Sequence, residues 1–160
     1  MLAYLSLGSN LGDRFAAVNL AVNELQKVAG ETKKVSSLYE TEPVGDRNQP
    51  WFLNCCLSIE TTHTPEQLFE LCQAIEQQMG RAPEHQKNAP RPIDIDILYY
   101  GNQILNTPQL VIPHPEMQNR LFVLQPLWEI APAFTHPVLK KSNAQLLKEC
   151  KDVSIVRLYY

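Results

Sequence analysis

Two carboxylates separated by one residue form the pattern in this sequence that most directly suggests chemistry. In the segment PRPIDIDIL, Asp94 and Asp96 alternate with isoleucines. Alternate side chains of a β-strand project from opposite faces, so both aspartates are predicted on one face, roughly 6.5–7 Å apart. Anions this close raise each other's pKa unless cations neutralise them. Oxygen ligands favour Mg²⁺, which binds through one or two carboxylates plus substrate phosphates.

Basic side chains lie close to this pair in the sequence. The loop just before it contributes four of them: Arg81, His85, Lys87 and Arg91. A second cluster, PHPEMQNR, contains His114 and Arg120. Either motif alone is as readily explained by a solvated strand face or a proline-bracketed turn. Together, carboxylates, Mg²⁺ and guanidinium groups suit ATP, whose triphosphate charge must be neutralised before an alcohol attacks.

The composition excludes several classes of protein. With 160 residues, 44% hydrophobic and 19% charged, the chain is predicted to form one domain over residues 1–160. A net charge of -3 argues against a nucleic-acid partner. No run approaches the ~20 apolar residues of a membrane span. The opening residues lack a basic leader, and the cysteines form no CxxC or metal-ligand spacing. We therefore expect a cytoplasmic monomer with reduced thiols.

Hydrophobic periodicity and capping signals predict the elements that position these residues. They are a strand at 2–7, a helix capped by Asp13 and ended at Gly30, strands at 34–41 and 52–61, a helix from Thr64 to Gly80, and the strand IDIDILYYG. This order predicts a ferredoxin-like α+β sandwich, with a mainly antiparallel sheet and helices packed on its faces. A hairpin at 104–112, helices at 120–130 and 142–150, and a final strand in SIVRLYY are expected to follow.

The run KNAPRPIDIDIL resembles the signature of the hydroxymethyldihydropterin pyrophosphokinases. Further segments resemble the same family in the same order: AYLSLGSNLGDR, VSSLYETEPVG, FLN at 52–54, IEQQMGR and VIPHPEMQNRLFVLQPLWEIAP. The resemblance covers the chain up to about residue 137. It implies transfer of the β,γ-pyrophosphoryl group from ATP to the hydroxymethyl oxygen of 6-hydroxymethyl-7,8-dihydropterin, with release of AMP, in folate biosynthesis.

The resemblance also implies a set of site residues. Asp94 and Asp96 would hold two Mg²⁺ ions, and Arg81 and Arg91 would join them as catalytic residues. The implied ATP-binding residues are Gln73, Glu76, Arg81, Lys87, Arg91, Ile97, His114 and Arg120. The implied pterin-binding residues are Thr41, Pro43, Val44, Gly45, Phe52, Asn54 and Phe122. An amide such as Asn54 offers both a donor and an acceptor to the pterin edge, and the loops at 43–50 and 81–92 would close over the ligands.

Some residues depart from the family pattern around the nucleotide. Asn88 stands where many members carry an aromatic residue, and Pro83 lies in a stretch that is often more basic. Gln109 and Val111 are less polar or less charged than some relatives at the hairpin on the adenine side. None of these changes removes a proposed metal ligand, so we expect activity to persist with an altered ATP affinity.

Two other functions compete with this interpretation. A nucleotidyltransferase palm domain also places paired aspartates on a ferredoxin-like sheet, but it would transfer AMP and release pyrophosphate. The acidic balance of the chain and the segment at 41–54 argue against it. A ligand-binding module without chemistry is the second alternative. The combination of Asp94, Asp96, Arg81 and Arg91 argues against it, because a binder needs no neutralised carboxylate pair.

Overall fold

The structure, a computed structural model, describes residues 1–43, 45, 48–80 and 92–160. In chain order its elements are β1 (Leu2–Ser9), α1 (Arg14–Val28), β2 (Glu31–Val35), β3 (Tyr39–Thr41), β4 (Phe52–Glu60), α2 (Pro65–Gln78), β5 (Asp94–Tyr100), β6 (Leu105–Asn106), β7 (Val111–Ile112), a 3-10 helix (Met117–Asn119), α3 (Leu121–Ile130), α4 (Asn143–Glu149) and β8 (Val156–Leu158).

An antiparallel sheet forms the centre of the fold. Its strand order is β5-β1-β4-β3-β8, and β2 also pairs with β4. β1 therefore lies between β5 and β4, which are both antiparallel to it. The connection order and this strand order are those of the predicted ferredoxin-like α+β sandwich, so the predicted fold class is confirmed.

Helices cover both faces of the sheet. On one face, α1 and α2 pack against buried strand residues that include Leu5, Leu7 and Ile97. On the other face, Val123 and Leu127 of α3 belong to a second cluster with Tyr4, Cys56, Leu98 and Tyr99. The sequence boundaries of α2 are confirmed: Thr64 and Gln67 form a capping box, and Gly80 follows with a φ of 98°. A positive φ of this kind ends a helix readily only at glycine.

The predicted strand at 34–41 is wrong as a single element. It divides into β2 and β3, because the pairing with β4 passes from Val35 opposite Leu57 to Tyr39 opposite Asn54, with one extra residue on the first strand. At the break, the Ser36 hydroxyl accepts a hydrogen bond from the Cys56 N–H at 2.9 Å and so takes the place of a backbone carbonyl. Side-chain hydrogen bonds of this kind compete with the strand ladder.

The predicted final strand is confirmed, over part of its segment. Only Val156–Leu158 of the segment SIVRLYY is β-strand, and it pairs with β3. Tyr160 lies fully exposed beyond it. The predicted hairpin is confirmed as β6 and β7, which pair with each other rather than with the main sheet.

The four cysteines are free. Cys55, Cys56 and Cys72 are buried and Cys150 is half-buried. Burial raises the pKa of Cys55 to about 12, which leaves this thiol protonated and unreactive near neutral pH. None of the helices in the described ranges is long and apolar enough to cross a membrane.

Candidate active site

β5 presents its aspartates and isoleucines on opposite faces, as the alternation predicted. Ile95 and Ile97 are buried in the cluster under α1 and α2, whereas Asp94 and Asp96 are half-buried. The pairing with β1 shifts between Tyr4 and Leu5, which leaves Leu98 without a paired residue in the β1–β5 register. A β-bulge of this kind breaks the alternation. The alternating carboxylate face of the strand therefore ends at Asp96.

Gly8 lies between the first aspartate and Asn54 in the middle of the sheet. It pairs with Asp94 on one side and with Asn54 on the other. A Cβ atom at Gly8 would collide with Oδ1 of Asn54 and would lie 3.4 Å from the Phe52 ring. The Asn54 side chain therefore lies over the bare backbone of Gly8, in one row with Asp94. We call these three residues the central row.

The orientation of Asn54 is set by the end of β3. Its Nδ2 atom donates to the Thr41 hydroxyl at 2.6 Å, and both side chains are buried. The amide oxygen therefore points towards Gly8, where the Cβ atom would collide with it. Pro43 is also buried, and Gly45 is exposed with a φ of 84°. The structure thus brings Thr41, Pro43 and Asn54 to the same end of the sheet.

Phe52 and Phe122 are both half-buried. Phe52 shares a strand face with Asn54, two residues away. The first turn of α3 is held over β4 by a contact of 3.6 Å between Cys56 Sγ and the Val123 carbonyl. The Arg120 guanidinium carbon is 5.8 Å from the centroid of the Phe122 ring. The start of α3 therefore carries an aromatic ring and a cation, and its first turn lies over the face of β4 that Cys56 shares with Asn54.

A cavity of about 230 Å³ opens beside β5. Asp96, Ile97 and His114 line it together with Gln109 and Val111 of the predicted adenine-side hairpin. The other lining residues are Phe69, Ile95, Pro108, Leu110 and Pro115. Pockets that enclose a drug-sized ligand span roughly 300–1,000 Å³. The cavity is therefore smaller than a pocket that encloses a whole drug-sized ligand.

His114 is held as a neutral imidazole. Its Nδ1 atom accepts a hydrogen bond from the Glu116 N–H at 3.1 Å, so its proton is on Nε2. Burial, and to a smaller extent the Arg120 cation, lower the pKa of His114 to about 4 against the opposing effects of Asp94 and Glu116. At neutral pH the side chain is therefore an uncharged N–H donor at the cavity.

The two predicted nucleotide residues of α2 do not share a surface. Gln73 is exposed, whereas Glu76 is buried. Glu76 Oε2 accepts a hydrogen bond of 2.8 Å from the N–H of Ile95, the residue between the two aspartates. Neither Gln73 nor Glu76 lines the cavity beside β5. Gln73 therefore lies on a solvated face of the helix, whereas Glu76 does not.

Residues 4–132 match the sequence model of a family described as 7,8-dihydro-6-hydroxymethylpterin-pyrophosphokinase (HPPK). The chain belongs to this family. Its members are named for pyrophosphoryl transfer to hydroxymethyldihydropterin, so membership argues against the nucleotidyltransferase alternative.

Individual relatives agree with this assignment. Over 130 residues the chain is 48% identical to 2-amino-4-hydroxy-6-hydroxymethyldihydropteridine pyrophosphokinase of Bacillus subtilis (strain 168). This match covers 81% of this chain and 77% of that protein. Over 159 residues it is 42% identical to Folic acid synthesis protein fol1 of Schizosaccharomyces pombe. That match covers 99% of this chain but 21% of the yeast protein, so the chain spans about a fifth of that relative.

The fold is similar to that of a solved structure, the Plasmodium falciparum HPPK-DHPS wild type with pteroate. The TM-score is 0.72 at 17% sequence identity, and the likeness covers 92% of this chain and 42% of the other. At this identity the comparison concerns the fold alone, and it agrees with the ferredoxin-like arrangement of the strands.

Four of the residues implied by the HPPK resemblance lie outside the described residues: Val44, Arg81, Lys87 and Arg91. The departures at Pro83 and Asn88 lie there too. Their roles stay predictions.

The donor set of the HPPK site fits Mg²⁺. Across the described ranges, no group of three or more His, Cys, Asp or Glu side chains could hold a metal ion by itself. Asp94 and Asp96 instead present oxygen ligands from one face of β5. A site with two carboxylates, completed by water and substrate phosphates, is the arrangement that Mg²⁺ prefers.

Sequence reasoning missed the position of Gly8 in the HPPK site and treated it only as the end of a strand. β1 continues through it to Ser9. A glycine inside an otherwise apolar strand often marks a close approach of another group, and this signal was present in the sequence. Which group approaches it depends on the pairing with β4, which the sequence pattern did not specify.

Proposed function

We propose that the chain transfers a pyrophosphoryl group from ATP to the hydroxymethyl oxygen of 6-hydroxymethyl-7,8-dihydropterin, giving the pterin diphosphate and AMP in folate biosynthesis. The observation that carries this proposal is the central row. It sets the Asp94 carboxylate one strand away from Gly8 and two strands away from the Asn54 amide. A metal-binding group and a group suited to a heterocyclic edge thus share one surface.

The pterin side of the proposal uses the residues at the end of β3 and the start of β4. Asn54 would bind the amide and amidine-like edge of the ring, with its orientation set by Thr41. Phe122 and Phe52 would contact the two ring faces. Pro43, Val44 and Gly45 would supply main-chain groups. This slot would hold the hydroxymethyl group towards the aspartates.

The nucleotide side uses the cavity beside β5. Ile97 and the β6–β7 hairpin would contact the base, and the Nε2–H of His114 would donate to a phosphate oxygen. Arg120 would add a guanidinium from the start of α3. Arg81, Lys87 and Arg91 would neutralise further triphosphate charge. Gln73, which is exposed, would contact the nucleotide directly. Glu76 would instead hold β5 in position through its hydrogen bond to Ile95.

The carboxylates of Asp94 and Asp96 would hold two Mg²⁺ ions. Bound there, the ions would neutralise the triphosphate and lower the pKa of the attacking hydroxyl. The protein contribution is to position the acceptor oxygen close to the terminal phosphates and to keep water away from them.

Product analysis tests this proposal. The protein is incubated with ATP, Mg²⁺ and 6-hydroxymethyl-7,8-dihydropterin, and the products are separated by chromatography and mass spectrometry. We expect AMP in equal amount to a pterin that has gained two phosphates, with no turnover when EDTA is present. Free pyrophosphate with an adenylated pterin, or ATP and pterin binding without turnover, would contradict the proposal.

Monomeric state and cytoplasmic location stay predictions of the sequence. Light scattering coupled to size-exclusion chromatography tests the first, where the mass of a dimer would contradict it. Fractionation of the source cells tests the second.

A further inference from the structure

The chain end contacts the pterin side of the proposed site from outside the residues that the sequence model of the family matches. The match ends at residue 132. Residues 152–158, which we call the tail segment, run along the end of β3 and the start of α3. Their contacts fall on three separate pieces of the proposed pterin slot.

The first contact is at the start of α3. The Leu121 N–H donates to Asp152 Oδ2 at 3.0 Å, and the Ser154 N–H donates to Oδ1 at 2.9 Å. Arg120, at the N-cap position, makes no side-chain capping bond. Asp152 therefore satisfies an N–H group of the first helical turn that the helix leaves without an internal partner. The next residue is Phe122, so this bond fixes the backbone that carries the proposed stacking ring.

The second contact is at the end of β3. The Ile155 N–H donates to Glu42 Oε1 at 2.6 Å, and the Glu42 N–H donates to the Ile155 carbonyl at 3.1 Å. Next to it, Val156 pairs with Thr41, whose hydroxyl orients Asn54. The tail segment thereby holds the strand end from which Thr41 reaches Asn54.

The third contact is beside Phe52. The Arg157 guanidinium carbon lies 4.9 Å from the centroid of the Trp51 ring, and its NH2 atom lies 2.8 Å from Glu40 Oε1. Trp51 precedes Phe52 in the chain. The cation–π contact thus links the tail segment to the residue before the second proposed ring, and the ion pair links it to β3.

We propose that the tail segment is a positioning element for the pterin slot, which sets the spacing between Phe122, Thr41 and Phe52 and thereby the affinity for the pterin. This inference rests on the proposed function. The nucleotide cavity is lined by β5, α2 and the hairpin segment. Among the described residues proposed to bind ATP, only Arg120 lies next to a contact of the tail segment, so the tail segment should affect ATP less than the pterin. Asp152 acts through Leu121 and is a positioning residue.

The test compares three variants with the wild type. Asp152→Ala removes both acceptor oxygens. Asp152→Asn keeps one, and Val153→Ala is the matched control because Val153 is 93% exposed. Michaelis constants for 6-hydroxymethyl-7,8-dihydropterin and for ATP, kcat and the melting temperature are measured for each.

We expect Asp152→Ala to raise the pterin Michaelis constant roughly five- to tenfold, because part of the free energy of the charge-assisted hydrogen bond that holds Leu121 is lost from pterin binding. The ATP constant should stay within about twofold of the wild type, which is a small free-energy change. Asp152→Asn should recover part of the loss, and Val153→Ala should match the wild type. A folded Asp152→Ala with an unchanged pterin constant, or with both constants raised equally, would overturn the inference.

Two further outcomes have to be distinguished: an Asp152→Ala variant that does not fold, and a wild type that shows no turnover. If Asp152→Ala does not fold, the comparison is made with Asp152→Asn, where an unchanged pterin constant overturns the inference and a selective rise supports it. If the wild type shows no turnover, the proposed function fails. Pterin binding by calorimetry then decides the inference, since weaker binding by the Asp152 variants supports it and equal or absent binding overturns it.

Discussion

Gly8 shows how much of the site depends on single atoms. The space that a Cβ atom would occupy is filled by the Asn54 amide oxygen, with the Phe52 ring 3.4 Å away. The same glycine pairs with Asp94. An atom added here would therefore displace the group proposed to bind the pterin, while leaving the carboxylates proposed to bind the metal in place.

Gly8→Ala should raise the pterin Michaelis constant roughly ten- to hundredfold, because a small displacement of a binding group is enough for losses of this size. The ATP constant should change little. Steady-state kinetics with each substrate varied in turn checks this, with the melting temperature as a control for folding. A pterin constant equal to that of the wild type would show that Asn54 does not bind the ring.

Asp94→Asn and Asp96→Asn should each reduce kcat by at least about a thousandfold, a loss typical of removing a principal electrostatic group. Asparagine is nearly isosteric, so the melting temperature should stay close to the wild type. Glu70→Gln, on the exposed face of α2, is the matched control for loss of one negative charge. Kinetics at several Mg²⁺ concentrations measure the effect. Normal turnover in either variant would exclude that residue as a metal ligand.

At the scale of elements, α2 positions β5. The helix begins with a capping box at Thr64 and Gln67, and its buried face includes Cys72, Ile75 and Glu76. The Glu76 carboxylate accepts the N–H of Ile95, which lies between the two aspartates. The position of the aspartate pair thus depends on a helix that supplies no proposed metal ligand.

Glu76→Ala should lower the free energy of unfolding by about 2 kcal/mol, since it leaves the buried Ile95 N–H without its acceptor. Gln73→Ala, on the exposed side of the same helix, should lower it by less than about 0.5 kcal/mol. Urea unfolding followed by circular dichroism measures both. Equal effects of the two changes would contradict the positioning role of Glu76. A raised ATP Michaelis constant in Gln73→Ala would instead support the predicted nucleotide contact of that residue.

At the scale of the whole molecule, the sandwich places the two proposed substrates on different sides of β5. The pterin slot lies on the sheet face covered by α3, next to the central row. The nucleotide cavity lies beside β5, with walls from α2, the β6–β7 hairpin and His114. Asp96 lines the cavity from the same strand face that carries Asp94. The carboxylate pair therefore lies where the two ligands would meet.

Acid should destabilise this arrangement through His114. Above pH 6.5 its imidazole is neutral in both the folded and the unfolded chain, so it has no effect on stability. As the pH falls from 6.5 to about 4, the unfolded chain binds a proton that the folded chain does not. The unfolding free energy should fall in this window, by about 3 kcal/mol at most from this group. Below pH 4 its effect is constant.

Urea unfolding at pH 7, 6, 5 and 4 measures this contribution. His114→Asn should flatten the fall between pH 6.5 and 4, because asparagine does not titrate there. The remaining slope should come from other groups, including His136, whose pKa is also lowered by burial. Identical profiles for His114→Asn and the wild type would show that the imidazole is not kept neutral by the fold.

Local patterns were enough to predict much of this molecule. The capping box at Thr64, the end of α2 at Gly80 and the separation of aspartates from isoleucines on β5 are all as the sequence predicted. Each depends on residues within a few positions of one another, where backbone geometry alone decides the result. The order of the elements then favoured the ferredoxin-like fold before any pairing was known.

The remaining features depend on residues that are distant in sequence. Ser36 interrupts the predicted strand because it bonds to Cys56, 20 residues away. Asp152 reaches the start of α3 across 31 residues, and Gly8 matters only because β4 places Asn54 over it. Such contacts follow from strand register and helix packing, in which many distant side chains compete at once. The sequence by itself therefore determined the types of element and the chemical groups, and the tertiary structure decided which of those groups meet.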